Sequence, residues 1–204
     1  GVQLSFRAHY PDLSLRLIYR GGKEDSEQFQ GLKARIRKLI QPYVYGEGDE
    51  TLEEIVGRLL LKNGWTLALA ESCTGGYISH RITRVPGSSD YFKSSAVTYS
   101  NEAKMAFLGV KKSTLNRFGP VSRETAIEMA QGIRKKTGAN VGMSVTGIAG
   151  PDGGSPEIPV GTVWIGMAQP HGEEAQLFHL QGDRERVIQG ASQAVLHWLR
   201  KVLL

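Results

Sequence analysis

From Thr51 onward, short apolar runs of strand length alternate with segments whose apolar residues repeat at helical spacing. The runs at 65–70 and 141–145 have the length and composition of buried strands. Between residues 187 and 198, apolar side chains recur every three or four positions, as on the inner face of a helix. Alternation of strands and helices is typical of helices that cover both faces of a sheet. We therefore predict an α/β fold, a three-layer α/β/α sandwich with a mixed central sheet.

The residues before this region follow a different pattern. Apolar and polar residues alternate over 4–10 and again over 13–19, and Pro11-Asp12 lies between the two runs, which indicates a β-hairpin. A segment with helical spacing follows and reaches Ile40, and the polar, glycine-containing run at 45–50 indicates a linker. We expect residues 1–48 to form a small α+β module of a β-hairpin plus a helix, and residues 49–204 to form a second, larger domain.

Length and composition exclude several classes of protein. The 204 residues suffice for a hydrophobic core, and no apolar run reaches the ~18–20 residues that cross a bilayer. The single cysteine, Cys73, excludes an internal disulfide framework and a multi-cysteine metal site, and the five histidines lack ligand spacing. We therefore expect a cytoplasmic protein that needs no metal and no organic cofactor.

The first candidate for chemistry lies where the strand that ends at Ala70 turns into a helix, which we expect to begin at about Gly75. Ser72 offers a hydroxyl and Cys73 a thiol, and the unpaired N–H groups of a helix start could hold an oxyanion or a phosphate. A helix start could also lower the pKa of Cys73 and make it the nucleophile. No histidine lies at a recognisable spacing from Cys73, so we prefer Ser72. The alternative is a turn that only caps the helix.

The second candidate is the pair Tyr99 and Lys104. Both side chains face one cleft if a helix begins at Asn101. A serine hydroxyl needs a neighbour that takes its proton, and a desolvated lysine can act as that base. Tyr99 could then relay the proton or orient the lysine. The alternative is a solvated Lys104 on the surface and a Tyr99 ring that packs against the strand.

Two further segments could bind an anion. Residues 146–154 form a glycine-rich loop at a strand end, where backbone N–H groups could hold a charged ligand, although an ordinary connecting loop is the alternative. Arg184 follows Asp183, a favourable residue for starting a helix. A positive charge in the first turn of a helix is repelled by the positive end of the helix dipole, and a bound phosphate would offset this electrostatic cost.

Five motifs in order carry a resemblance to a known family: AESCTGG at 70–76, VTYSNEAK at 97–104, SVTGIAGPDGG at 144–154, PVGTVW at 159–164 and GDR at 182–184. They resemble the CinA C-terminal family, whose stand-alone members are nicotinamide-nucleotide amidases. The resemblance covers 51–204, and residues 1–48 resemble the KH-like module that precedes this domain in longer members. It implies hydrolysis of nicotinamide mononucleotide to nicotinate mononucleotide and ammonia, a step of pyridine nucleotide salvage.

The motifs and the resemblance together define the candidate residues. Ser72 is the expected nucleophile, and Tyr99 and Lys104 are expected to assist it. The expected substrate contacts are Glu71, Cys73, Thr74, Gly75, Gly76, Asn101, Thr146, Gly147, Gly150, Asp152, Gly153, Gly154 and Arg184.

The resemblance also suggests partners. We expect a nucleotide substrate, a homo-oligomer such as a dimer, and no membrane. Because the chain does not begin with methionine, we expect a fragment of a longer protein from which an N-terminal molybdopterin-binding-like domain is missing. The alternative function is a catalytically weak nucleotide-binding or interaction module linked to competence and recombination.

Nucleic-acid binding is a third hypothesis, because the module at 1–48 resembles a KH domain and basic residues cluster at 33–38. A KH domain grips its strand through a GXXG loop, whereas residues 21–24 read GGKE and lack the second glycine. With a net charge of +5, we predict only weak, salt-sensitive binding of single-stranded RNA. A fluorescence-anisotropy titration checks this, and tight binding at physiological salt would contradict it.

Overall fold

The computed structural model describes residues 2–20, 27–41 and 43–204. It divides the chain into two compact units, Gly1–Glu50 and Thr51–Leu204. The GGKE segment and Pro42, where the sequence predicts the end of a helix, lie outside the described residues. None of the helices described is long and apolar enough to cross a membrane.

The first unit contains the predicted hairpin and helix. Strands β1 (Val2–His9) and β2 (Asp12–Tyr19) pair antiparallel, and helix α1 (Glu27–Ile40) follows. The hairpin prediction is therefore confirmed. Apolar residues pair across one face of the hairpin, as Phe6 does with Leu15.

The second unit, residues 51–204, is built around a five-stranded sheet with the order β4-β3-β5-β6-β7. The strands are β3 (Leu67–Glu71), β4 (Phe92–Val97), β5 (Val141–Gly147), β6 (Thr162–Gln169) and β7 (Gly172–His179). Strand β3 runs parallel to both β4 and β5, whereas β6 and β7 are antiparallel to their neighbours. The predicted mixed sheet is confirmed. Because three parallel strands end at one edge, the segments that follow them converge there.

Helices cover both faces of this sheet, which confirms the three-layer prediction. Helices α2 (Leu52–Asn63), α3 (Tyr77–Thr83) and α7 (Arg184–Leu203) pack on one another, and α3 and α7 contact one face. Helices α4 (Asn101–Leu108), α5 (Lys112–Phe118) and α6 (Arg123–Thr137) pack together on the other. Helix α6 crosses all five strands and lies at the centre of this layer.

Local side-chain signals explain where the helices start. A capping box starts α2: the N–H of Thr51 donates to Glu54 Oε2 at 2.8 Å, and the Thr51 hydroxyl accepts from the N–H of Glu54. Ser122 and Asp183 cap α6 and α7 without a reciprocal bond: their side chains accept from the N–H groups of Thr125 and Arg186. Helix α3 begins at Tyr77 rather than near Gly75, because both preceding glycines adopt left-handed backbone angles that an α-helix excludes.

Two short elements are not predicted from the sequence: α5 and a 3-10 helix at Ser88–Asp90. Neither is long enough to repeat an apolar pattern, so the periodicity that reveals the longer helices is missing. Helix α5 still contributes to the core through Leu115, which packs with Met129 of α6.

Glycines on the sheet let α6 approach it closely. A Cβ on Gly166 of β6 would lie 2.4 Å from the carbonyl oxygen of Ala126, and one on Gly142 of β5 would lie 2.4 Å from that of Ala130. At the same contact, Ser144 Oγ donates to the Ala126 carbonyl at 2.6 Å. The sheet and the helix therefore meet backbone to backbone.

We predict that Gly166→Ala lowers the free energy of unfolding by about 1–3 kcal/mol, because the added methyl must push α6 away from the sheet. Denaturant unfolding followed by circular dichroism measures the change. Gly31→Ala is the matched control, since a Cβ at Gly31 of α1 meets nothing within 4 Å. An unchanged midpoint for Gly166→Ala would show that the contact relaxes freely.

Candidate active site

Ser72 and Lys104 meet at the edge of the sheet where β3 and β4 end. Ser72 is the first residue after β3, and its N–H donates to the carbonyl of Val145 at 3.0 Å. Lys104 lies in the first turn of α4, whose start is capped by Ser100. The Lys104 side chain is only 2% exposed, and its Nζ lies 3.1 Å from Ser72 Oγ. The parallel pairing of the strands thus brings together two residues that lie 32 positions apart.

The surroundings of the Lys104 amine suit a base. Its Nζ lies 2.9 Å from the carbonyl oxygen of Thr98 and 3.4 Å from that of Tyr99. A neutral amine has two N–H donors and one lone pair, so the two carbonyls can accept the N–H groups while the lone pair faces the Ser72 hydroxyl. Burial lowers the pKa of Lys104 from its ordinary value, which favours this neutral form. Lys104 could therefore take the proton of Ser72.

Cys73 lies beside Ser72 but has the opposite character. Its side chain is 5% exposed, and burial raises the pKa of its thiol to about 12. The expectation that a helix start lowers this pKa is wrong, because desolvation outweighs the nearby positive groups. At neutral pH Cys73 is a thiol, and the thiolate that acts as a nucleophile is rare.

The carboxylate of Glu71 explains why the helix start is unavailable. Oε2 accepts from the Thr74 hydroxyl at 2.7 Å and from the N–H groups of Gly76 and Ile78, each at 3.1 Å. Oε1 accepts from the N–H of Ser79 at 2.9 Å and from its hydroxyl. Glu71 is fully buried, so its side chain is closed to solvent. The N-terminus of α3, expected to hold a phosphate, already holds an internal carboxylate.

Two N–H groups of the loop remain for a ligand. The N–H of Gly75 donates to the Ser72 carbonyl at 3.0 Å, and that of Gly76 is bound to Glu71. Within residues 2–20, 27–41 and 43–204, no oxygen of another residue is found to accept from the N–H of Cys73 or Thr74. Among the backbone N–H groups from Cys73 to Gly76, these two can therefore still donate to an oxyanion.

Arg184 connects two of the other candidate segments. Its guanidinium donates to the Tyr99 hydroxyl and to the carbonyl of Gly150, both at 2.7 Å. The Tyr99 side chain is 58% exposed. Its hydroxyl thus faces Arg184, and it is the carbonyl of Tyr99 that faces Lys104. The two acceptors partly offset the cost of a cation in the first turn of α7, and the exposed group can still meet an anion.

The remaining candidates fall into two sets. Thr146 and Gly147 have structural roles: the Thr146 hydroxyl donates to the carbonyl of Pro120 at 2.8 Å, and a Cβ on Gly147 would lie 2.7 Å from the Thr162 carbonyl. The other set is exposed to solvent and comprises Asn101, Asp152, Gly153 and Gly154.

Sequence reasoning misses two contributors to the site. The Thr98 carbonyl binds Lys104, but a backbone oxygen leaves no signal in the sequence. Ser79, in the first turn of α3, donates to Glu71. A serine in the first turn of a helix that follows a buried acidic residue is the sequence pattern that could have revealed this contact.

Comparison with known proteins identifies the family. The profile of the CinA C-terminal domain matches residues 49–203. The chain belongs to this family. The resemblance drawn from the motifs is thereby confirmed.

Relatives and solved structures agree with this assignment. A CinA-like protein from Kosmotoga olearia is 46% identical over 197 residues, which cover 95% of this chain and 47% of that protein. A CinA-like protein from Geotalea uraniireducens is 42% identical and covers 100% of this chain and 49% of its own length. The chain thus spans about half the length of these relatives. The crystal structure of competence damage-inducible protein A from Klebsiella pneumoniae superposes with a TM-score of 0.72 at 35% identity, and covers 74% of this chain and 93% of that one.

The buried amine leads to a prediction about pH. If neutral Lys104 activates Ser72, the rate at which a fluorophosphonate labels Ser72 should rise with pH as Lys104 loses its proton. Because burial lowers the pKa of Lys104, the midpoint of the rise should lie below the ordinary lysine value of 10.5. Intact-mass measurements of labelling give the profile. In Lys104→Met the reaction should be slow and free of this rise. A midpoint at 10.5 or above would contradict the proposed base.

Proposed function

We propose that residues 51–204 hydrolyse the carboxamide of a pyridine mononucleotide, converting nicotinamide mononucleotide to nicotinate mononucleotide and ammonia. The observation that carries this proposal is the 3.1 Å contact between a buried lysine amine and a serine hydroxyl. The motifs that resemble nicotinamide-nucleotide amidases contain both residues, which suggests the substrate.

The first half of the reaction forms an acyl-enzyme. Lys104 Nζ takes the hydroxyl proton of Ser72 while Oγ attacks the amide carbon, and the electrons of the C=O bond move to the oxygen. The N–H groups of Cys73 and Thr74 belong to the two residues that follow the nucleophile, and they are available to stabilise that oxyanion. When the oxyanion collapses, the C–N bond breaks. The departing nitrogen takes the proton from Lys104 and leaves as ammonia.

The second half reverses the roles of the attacking and leaving groups. Lys104 takes a proton from a water molecule, and the resulting hydroxide attacks the ester carbon. Collapse of the second oxyanion breaks the bond to Ser72 Oγ, which regains the proton from Lys104. The net reaction consumes one water and yields a carboxylic acid and ammonia. No metal or organic cofactor takes part in this scheme.

Arg184 is the candidate for recognition of the substrate phosphate. Its guanidinium has N–H groups beyond the two that bind Tyr99 and Gly150, and guanidinium groups bind phosphate oxygens in pairs. With Glu71 filling the start of α3, the phosphate has to bind elsewhere than at that helix. The exposed loop at 151–154 follows Gly150, so it can contribute backbone N–H groups next to Arg184.

The proposal is tested by measuring ammonia release from nicotinamide mononucleotide, nicotinamide riboside and nicotinamide, with and without chelator. We expect the mononucleotide to be the preferred substrate and chelation to have no effect. Arg184→Ala should raise KM for the mononucleotide more than it lowers kcat. Equal turnover of all three amides would remove phosphate recognition from the proposal. No turnover of any amide would favour the alternative, a nucleotide-binding or interaction module.

The nucleophile is assigned by variants. We predict that Ser72→Ala and Lys104→Ala each abolish measurable turnover and that the double variant is scarcely worse, because residues that act as one unit fail together. Cys73→Ala should keep a substantial part of the activity, since its protonated, buried thiol takes no part. Steady-state kinetics at equal protein concentration gives the comparison. The assignment is falsified if Ser72→Ala retains near-normal kcat.

A further inference from the structure

Glu71 immediately precedes the candidate nucleophile, and its carboxylate has an unusual set of partners. Five donors from four residues surround it: three backbone N–H groups and two hydroxyls. None of the ion pairs found among the described residues includes Glu71. A fully buried carboxylate without a cationic partner is costly unless such donors satisfy its oxygens. This arrangement therefore holds the loop after β3 in one conformation.

The donors of Glu71 lie on both sides of Gly75 and Gly76. Thr74 belongs to the loop, whereas Ile78 and Ser79 belong to the first turn of α3. Both glycines have left-handed φ angles, +60° and +98°, and because glycine has no Cβ, other backbone conformations are also open to it. The carboxylate bridges these two glycines and ties the loop to the helix.

The same contacts decide which N–H groups can face a ligand. Glu71 binds the N–H groups of Gly76, Ile78 and Ser79, and Gly75 donates to the Ser72 carbonyl. The N–H groups of Cys73 and Thr74 lie between these fixed points. They belong to the two residues that follow Ser72, and attack by Ser72 on a carbonyl would place negative charge on the carbonyl oxygen.

We infer that Glu71 is a positioning residue for the hydrolysis: its carboxylate anchors the loop so that the Cys73 and Thr74 N–H groups form the oxyanion hole beside Ser72. This inference rests on the proposed function, and it replaces the expectation that Glu71 contacts the substrate. The side chain acts through the loop, because it is closed to solvent.

The first test is Glu71→Gln. The amide has one acceptor oxygen, and its NH2 group faces at least one backbone N–H; the Ser79 hydroxyl can turn to accept from the NH2 group, but at least one backbone N–H loses its acceptor and meets a donor instead. We expect kcat for the mononucleotide to fall about 100-fold or more, as when an oxyanion donor is removed, while KM changes less than about threefold. Thr74→Val and Ser79→Ala each remove one hydroxyl donor and leave the carboxylate in place. Each should lower kcat by about tenfold or less.

A probe that needs no turnover separates this inference from the proposed function. A fluorophosphonate forms a bond from phosphorus to Ser72 Oγ and releases fluoride, and the phosphoryl oxygen carries charge as the amide oxygen would. The second-order rate constant for labelling, read by intact mass, should fall in parallel with kcat across the three variants. Thr51→Ala is the control: it removes the cap of α2 and should lower the melting temperature without changing the labelling rate.

The outcomes distinguish the two ideas. If the wild type releases no ammonia but is labelled, and Glu71→Gln is labelled far more slowly, the proposed substrate is wrong and the role of Glu71 stands. If Glu71→Gln is as active and as readily labelled as the wild type, Glu71 only supports the fold and the inference is overturned. A labelling rate that follows the melting temperature, with Thr51→Ala on the same line, overturns it as well. A wild type that is not labelled at Ser72 removes the nucleophile and the inference together.

Discussion

The buried amine of Lys104 needs hydrogen-bond partners inside the protein, and the arrangement of the candidate site depends on the groups that supply them. Burial disfavours its charged form, and no carboxylate among the described residues forms an ion pair with it. Two backbone carbonyls at the end of β4 and the hydroxyl of Ser72 supply the partners instead. The position of each depends on the parallel pairing of β3 and β4, which brings the ends of these strands to one edge.

In the loop between β3 and α3, the carboxylate of Glu71 binds N–H groups at the start of the helix. In many α/β proteins the start of a helix binds an anion from outside. Here the anion is internal, because Glu71 satisfies the N–H groups of α3 and leaves only the part of the loop beside Ser72 open. Under the proposed function, the charge of the substrate is recognised by other groups, and Arg184 at the start of α7 is our candidate for that role.

Features of this protein that depend on residues close together in the sequence can be predicted from it. Features that depend on contacts between distant residues cannot. Helix starts at Thr51, Ser122 and Asp183 follow from hydrogen bonds that reach three residues along the chain, so residues close in sequence decide them. Helix α5 is not predicted, because it starts without a side-chain cap and buries only Thr114 and Leu115, which are too few to form a repeated apolar pattern. Contacts between Arg184 and Tyr99, which lie 85 residues apart, are not encoded in any local spacing.

The sequence by itself therefore determined the layers of the fold, the ends of most elements and the kinds of side chain at the strand ends. It also carried the motifs that identify the family. Tertiary structure alone decided what those side chains can do. Burial makes Lys104 easier and Cys73 harder to deprotonate, and a carboxylate from the preceding strand takes the N–H groups expected to bind phosphate. Desolvation and hydrogen-bond competition depend on neighbours that are distant in the chain, and for that reason they cannot be derived from residue order.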